Sequence, residues 1–253
     1  MKISFSKLLL NWKSPVSGRN FPVGVLQKRL DSGLYVFSYN ISVVEEAKSE
    51  GFIPFIGISD IESVYESKKL FSVFERRLPN TKRNDFQKFL SDNDLQGSDD
   101  VYWDYLCVTK GKLATDSLTF MEPIVYEKNY VLFSCEVAGW SYTKSKNRDF
   151  QQKENIEFIV RIDDVNPEDS SAVEFIDQEN HYERVGYIPR PFNLLFYRLL
   201  KQKISVYSKV YHLGKEDNRP HVLIYTEDIE REIRDCKIFC VNSHSTFHYN
   251  ETK

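Results

Sequence analysis

Several groups of side chains in this sequence have the types and spacing to do chemistry. Asp163, Asp164 and Asp169 place three carboxylates in one short stretch. Hard oxygen ligands of this kind suit magnesium, and a metal-dependent nuclease would use them. No lysine stands beside them at the usual nuclease spacing, and the stretch reads more simply as a solvated turn. Cys236, Cys240, His244 and His248 recur every four residues. Soft and borderline ligands invite zinc, yet three residues separate Cys240 from His244 where a zinc finger uses ~12 to fold a helix back. That segment reads instead as an apolar strand around Ile238, Phe239 and Val241 running into a tail, and no metal is assigned. Arg76, Arg77, Lys82 and Arg83 crowd four cations around Leu78 and Pro79. They suit a helix C-terminus through the macrodipole, or they contact a phosphate or a protein partner. There is no Gly-x-Ser-x-Gly elbow, and the five histidines show no spacing that marks a triad. The expectation is a protein with no catalytic residues and no cofactor.

The elements that must hold these groups fit a chain of 253 residues, enough for two ordinary domains. The composition is 41% hydrophobic and 28% charged, with 18 Phe and 15 Tyr, which is a globular texture. The 34 basic and 37 acidic side chains leave a net charge of −3. A protein that neutralises many phosphates carries a basic excess, so non-specific duplex binding is disfavoured. Met1 is followed by a polar stretch and then only by the short Leu8, Leu9 and Leu10, too few for a signal or membrane segment. The protein is expected to be cytoplasmic, without a membrane partner, with its four cysteines reduced.

Residues 22–26 and 34–39 are rich in β-formers, and Asp31-Ser32-Gly33 between them predicts a hairpin. Ser59 and Glu62 have the form of a capping box, and Ile61, Val64, Tyr65, Phe71, Phe74 and Leu78 follow at helical spacing. A helix of about five turns ending before Pro79 is predicted. Further helices are predicted over 84–90 and from Ser98 to about Val108, with Ser98 as cap, and a strand over 112–121. Downstream the texture turns to β. Val131, Phe133, Cys135 and Val137 alternate onto one face, and strands follow over 156–162, 172–176, 185–188, 204–211 and 221–225. One helix begins after Pro191, with Phe192, Leu195, Phe196, Leu199 and Leu200 as its apolar stripe. Residues 143–153 read as a long polar loop.

The run Val23-Gly24-Val25-Leu26, Gly33 to Tyr39, Ile53-Pro54-Phe55, the Phe71 to Pro79 segment and the stretch from Tyr105 to Phe120 resembles, in order and spacing, the N-terminal subdomain of HipA-type toxin kinases. In that family the subdomain is a small α/β unit packed on a kinase core, and a free-standing version acts as antitoxin. No kinase core is present: there is no phosphate-cradling glycine loop and no DFG-like metal ligand. The resemblance therefore implies a partner surface, with Arg76, Arg77, Lys82 and Arg83 as its candidate contacts and a HipA-type kinase as a candidate partner.

A second set of residues resembles the HIRAN domain: Gly139-Trp140-Ser141-Tyr142, then Asn166-Pro167-Glu168-Asp169-Ser170-Ser171-Ala172, then Val185-Gly186-Tyr187-Ile188-Pro189-Arg190. That resemblance implies a small β-barrel which, in helicase-linked examples, captures the 3′-hydroxyl end of single-stranded DNA. Carried onto this chain, Trp140 and Tyr142 supply ring faces for a terminal base, Tyr187 a second wall, Asp169 the acceptor for the hydroxyl, and Ser171 and Arg190 further contacts. Stacking is worth ~1–3 kcal/mol per base. The sequence departs from the family at three places. Ser141 stands where DNA-binding examples have a basic residue, Glu168 where an aromatic is usual, and Thr143 where a tyrosine is common. The residues also leave another reading open: Asn166 and Asp169 satisfy the local backbone of a turn, and Gly186 permits close backbone packing.

The expected architecture is α+β: residues 1–125 as a small α/β HipA-type unit and 126–253 as a HIRAN-like β-barrel with one helix and a tail. The expected function is a non-catalytic bacterial regulatory or defence-associated protein of toxin–antitoxin or phage-defence type. Its barrel binds single-stranded DNA 3′ ends and its first unit binds a protein. The alternatives are an antitoxin-like adaptor without DNA binding and a metal-dependent nuclease.

Overall fold

The computed structural model describes residues 6–29, 31–93, 95–127, 130–147, 156–213, 218–226 and 240–242. The chain divides into two compact units, one within 1–123 and one spanning 124–243.

In the first unit, β1 (Lys7–Lys13), β2 (Asn20–Lys28) and β3 (Tyr35–Tyr39) are followed by α1 (Ile41–Lys48), β4 (Val64–Ser67), α2 (Ser72–Glu75), α3 (Asn84–Asp92), α4 (Val101–Thr109) and β5 (Leu118–Met121). The sheet order is β4-β3-β2-β1-β5, antiparallel throughout. The predicted hairpin is the β2–β3 pair, and Gly33 at its turn has φ +66°, a conformation glycine adopts without a Cβ penalty. Leu8, Leu10, Phe21, Val23, Leu26, Phe37, Phe74 and Trp103 form the core. Phe37 sits at its centre, its ring 4.8 Å from Tyr39 and 5.3 Å from Phe74.

The five-turn helix expected from Ser59 to Pro79 does not form. Asp60 turns the chain instead: its carboxylate accepts from the Glu62 N–H at 3.0 Å and from the Ser63 hydroxyl. The following residues then extend as β4 against β3, with Val64 exposed. The helical spacing of the apolar residues was genuine, but a local carboxylate–backbone alternative and a free strand edge outcompeted it. A short helix remains at α2. The helix expected from Ser98 opens later, capped by Asp100, whose carboxylate accepts from the Trp103 N–H at 3.1 Å. Of the predicted strand over 112–121, only β5 is extended.

The second unit contains β6 (Ile124–Glu127), β7 (Tyr130–Glu136), β8 (Ile159–Ile162), β9 (Val173–Asp177), β10 (Glu183–Tyr187), α5 (Asn193–Lys201), β11 (Val206–Leu213), β12 (Pro220–Thr226) and β13 (Cys240–Asn242). One sheet runs β11-β12-β7-β6-β13 and another β10-β9-β8; β13 and β6 are parallel, the other pairs antiparallel. Two seams join the sheets. Ala138 and Tyr187 exchange both backbone bonds at 2.9 Å, and Val210 N–H donates to the Ile156 carbonyl at 2.8 Å. Val131, Phe133, Cys135 and Val137 are buried together, as their alternation predicted. α5 lays Phe192, Leu195, Phe196 and Leu199 on this interior, with Phe192 4.4 Å from Phe133. Each such burial contributes ~1.5–3 kcal/mol.

No helix among the described residues is long and apolar enough to cross a membrane. Cys236, His244 and His248 lie outside the described residues, and Cys240 opens β13.

Candidate functional site

The Asn166–Asp169 turn and strand β10 face each other across a cleft of about 470 Å³. The turn is built by its own side chains. Asn166 Oδ1 accepts from the Glu168 and Asp169 N–H groups, each at 3.0 Å, and Asp169 Oδ1 accepts from the Ser171 N–H at 2.9 Å. These are the local backbone bonds that Asn and Asp offer in turns. The other wall depends on Gly186, at φ +151°. A Cβ there would lie 2.3 Å from Val137 Cγ1 and 2.4 Å from the Ala138 carbonyl oxygen. Only a glycine lets β10 approach closely enough to make the Ala138–Tyr187 seam.

Two charged networks line the cleft. In the first, Tyr187 donates its hydroxyl to Asp163 Oδ2 at 2.9 Å and accepts from Arg184 Nη1 at 2.6 Å. The Arg184 guanidinium lies over the Tyr187 ring, 5.1 Å from its centroid. Burial pushes Asp163 upward, but the bonds from Tyr187, Asn166 and the Val165 N–H, with the charge of Arg184, outweigh it and hold the carboxyl below its ordinary range. Burial first, and the Asp163 acceptor second, push the Tyr187 phenol up to about 12. In the second network, Asp169 Oδ2 accepts from Arg190 Nε at 2.6 Å and Asn193 Nδ2 at 3.0 Å. Arg190 Nη2 also donates to the Glu168 carbonyl at 2.6 Å, and Asn193 to the Ser171 carbonyl at 2.9 Å. The lining has three carboxylates, Asp163, Glu168 and Asp169, against two guanidinium groups, Arg184 and Arg190. One negative charge is in excess.

The expected site residues separate on this framework. Asp169, Tyr187 and Arg190 line the cleft. Ser171 contributes backbone groups to the Asp169 network. Tyr142 ends a short 3₁₀ turn, Trp140–Tyr142, and is 92% exposed. Trp140 corrects an expectation: it is 2% exposed, so its ring packs inside the unit and offers no face to a ligand. Asp163, Asp164 and Asp169 do not converge either. Asp164 pairs with Lys201 at 3.2 Å, while the other two serve the separate networks above. No cluster of three metal-binding side chains occurs among the described residues. In the first unit, Arg77 is a second correction. Its side chain is fully buried, donating to the Gly111 carbonyl at 2.6 Å and pairing with Asp116, so it faces no partner. Arg76, Lys82 and Arg83 are exposed.

Arg184 and Asn193 were not singled out from sequence. An arginine on a strand and an asparagine opening a helix carry no signal by type alone. Their proximity to Asp163 and Asp169 appears only when β10 and α5 are brought to the turn.

A comparison with curated proteins found no match. Among solved structures, the HIRAN domain of human HLTF is 14% identical, with 42% of this chain and 86% of that chain covered and a TM-score of 0.34. A protein from Lactobacillus plantarum is 17% identical, with 40% and 97% covered and a TM-score of 0.34. The family model of the HIRAN domain matches residues 130–226, the stretch that holds both networks and the cleft between them. This part of the chain is a HIRAN domain.

Proposed function

We propose that the HIRAN domain of this chain binds the 3′-hydroxyl end of single-stranded DNA, and that the chain is a non-catalytic regulatory or defence-associated protein. The observation that carries the DNA reading is the family match over residues 130–226, since HIRAN domains are DNA-binding modules that take single-stranded 3′ ends. In this reading the exposed ring of Tyr142 stacks a base, Tyr187 with Arg184 over it forms a wall, and Asp169 accepts the terminal hydroxyl. Trp140 has no direct role. A 3′-phosphate brings a dianion to a cleft that already has a carboxylate in excess, and is repelled.

Fluorescence anisotropy at low salt tests the reading with one oligonucleotide carrying either a 3′-hydroxyl or a 3′-phosphate. The hydroxyl strand is expected to bind more tightly. Equal affinities, or no binding at roughly tens of micromolar (near −6 kcal/mol), would falsify it and leave the adaptor alternative.

For the N-terminal unit the proposal is a protein-binding surface, as its resemblance to the HipA-type subdomain implies, with exposed Arg76, Lys82 and Arg83 as contacts. Titration of this chain with a HipA-type kinase core, with and without charge reversal at those positions, tests it. Binding that ignores all three reversals removes this surface from consideration.

A further inference from the structure

We infer that the turn between β9 and β10 is a second, separate contact for single-stranded DNA: the ring of Tyr182 stacks a base of the strand after it has left the cleft, with Arg184 meeting a phosphodiester on the way. The inference rests on the strand-end reading and extends it to nucleotides outside the cleft, whose lining does not include Tyr182.

Backbone geometry carries the argument. The Glu183 N–H donates to the Asn180 carbonyl at 2.9 Å, closing a turn whose two central residues are His181, at φ +51°, and Tyr182, at φ +58°. Positive φ at both central residues is the mark of the type I′ hairpin turn, which selects Asn-Gly because other side chains crowd their own backbone there. An aromatic residue in that conformation is an outlier, and strain of this kind clusters at ligand contacts. The flanks hold the turn: Asn180 Nδ2 donates to Glu183 Oε2 at 2.8 Å, and the Glu179 N–H to Asp177 Oδ1 at 3.0 Å. The ring gains nothing from the protein. Tyr182 is 62% exposed, and among the described residues neither it nor His181 has a side-chain hydrogen bond, ion pair or ring contact. Asn-Gly would make the same turn at lower cost, so the use of the ring lies outside the protein's own packing.

Neighbouring residues identify what the ring meets. From the turn through β10 the chain carries Tyr182, Arg184, Tyr187 and Arg190, rings interleaved with guanidiniums, the composition of a single-strand track. The Arg184 side chain is 49% exposed and spends only Nη1 on protein groups, Tyr187 and Asp163. Its Nε and Nη2 are left for a phosphate. An internal diester carries one charge and rests on this guanidinium, unlike a 3′-terminal dianion, which would face Asp169 itself. Tyr182 precedes Tyr187 by five positions, roughly 15 Å at ~3.3 Å per residue, while stacked nucleotides advance ~3.4 Å each. A dinucleotide ending at Asp169 therefore stops short of the ring, and a longer strand reaches it.

The test uses the full chain, 5′-labelled oligothymidylates of two and ten nucleotides with 3′-hydroxyl ends, and calorimetric melts. The decamer is expected to bind more tightly than the dinucleotide. The double variant His181→Asn, Tyr182→Gly restores the residues the turn prefers, and should raise the thermal midpoint of the second unit by about 3 °C. It should also weaken the decamer about 5- to 100-fold, the loss of one stacked base, and leave the dinucleotide unchanged. Tyr182→Phe keeps the ring and should keep decamer affinity. Gaining stability while losing long-strand affinity is the signature, since a merely structural turn would move only the first. A double variant that melts higher yet binds the decamer as wild type does overturns the inference and assigns the ring to a protein contact. A midpoint that fails to rise overturns it by removing the backbone cost. Equal wild-type affinities for the two lengths overturn it too and leave the strand-end reading intact, whereas wild-type protein that binds neither overturns both.

Discussion

Arg77 and Arg190 each hold an aspartate, yet the two pairs do different work. Arg77 is fully buried, and with Asp116 and the Gly111 carbonyl it ties the end of α2 to the loop before β5. Its Nη1 and Nη2 donate to protein groups of the same unit, while its buried Nε has no hydrogen-bond partner among the described residues. Arg190 sits at a cleft rim with its side chain 37% exposed; it braces Asp169 but keeps an edge of its guanidinium unspent. A buried guanidinium has no access for a ligand and is costly to remove, whereas a half-exposed one with spare donors at a cleft can be completed by a ligand. Sequence alone does not separate them, because both are arginines near proline.

The largest test of this contrast is Arg77→Met. It takes a buried donor from the Gly111 and Leu118 carbonyls, while Asp116, 22% exposed, keeps Arg76 at 3.6 Å, and about 2–4 kcal/mol of stability should be lost, measured by urea unfolding. DNA affinity of the protein that remains folded should hold. If the loss is under about 1 kcal/mol, the buried pair is not the strut described. Arg190→Ala should show the reverse balance: about 1 kcal/mol or less of stability, as for a solvent-screened pair, with about 1.5–3 kcal/mol of strand affinity lost. Equal stability losses in the two variants would erase the distinction between them. Tyr142→Ala should cost ~1–3 kcal/mol of affinity as a stacking face disappears, with an unchanged melting temperature because the side chain is 92% exposed.

The smallest effect is on pH dependence. Asp100 in the first unit and Asp163 in the second are both held below the ordinary carboxylate range. In each case burial pushes upward and is outweighed, at Asp100 by Lys28, Tyr35 and the Trp103 N–H, and at Asp163 by Tyr187, Asn166, the Val165 N–H and Arg184. A folded-state pKa lower than the unfolded one gives stability that is present above about pH 4 and lost as pH falls through the folded value. Asp163→Asn should flatten the acid limb of the second unit alone. At the alkaline end the sign reverses for Tyr187, pushed up to about 12. Unfolded tyrosine releases its proton near pH 10, so stability should fall between about pH 10 and 12. An acid limb unchanged by Asp163→Asn would remove that carboxylate from the account.

Legibility in the sequence followed how local each cause is. The alternation of Val131, Phe133, Cys135 and Val137 and the stripe Phe192, Leu195, Phe196 and Leu199 were readable, because burial on one face repeats with the period of the element. The Asn166–Asp169 turn was readable for the same reason: its hydrogen bonds stay within five residues. β1 was not, since Leu8, Leu9 and Leu10 are all buried and a strand covered on both faces loses its alternation. Nor was α1, whose Ile41, Val43 and Val44 have the β-branching of a strand. At the site, residue type pointed to Trp140 and Arg77 as exposed contacts. Whether a ring or a guanidinium faces inward is decided by neighbours far along the chain, and the Arg184 and Asn193 contacts depend on the same long-range closure.

The Ala138–Tyr187 seam has a consequence for measurement. It is an isolated bridge, two backbone bonds outside the longer ladders, so opening it breaks little else and its two amides should exchange with solvent sooner than those of β7 and β12. Tyr187 is also a wall of the cleft. A ligand that binds only the closed seam at 100 times its Kd adds about 2.7 kcal/mol to that opening, slowing exchange there about a hundredfold. Two backbone protons at one strand crossing would then report occupancy of the cleft without any label on the ligand.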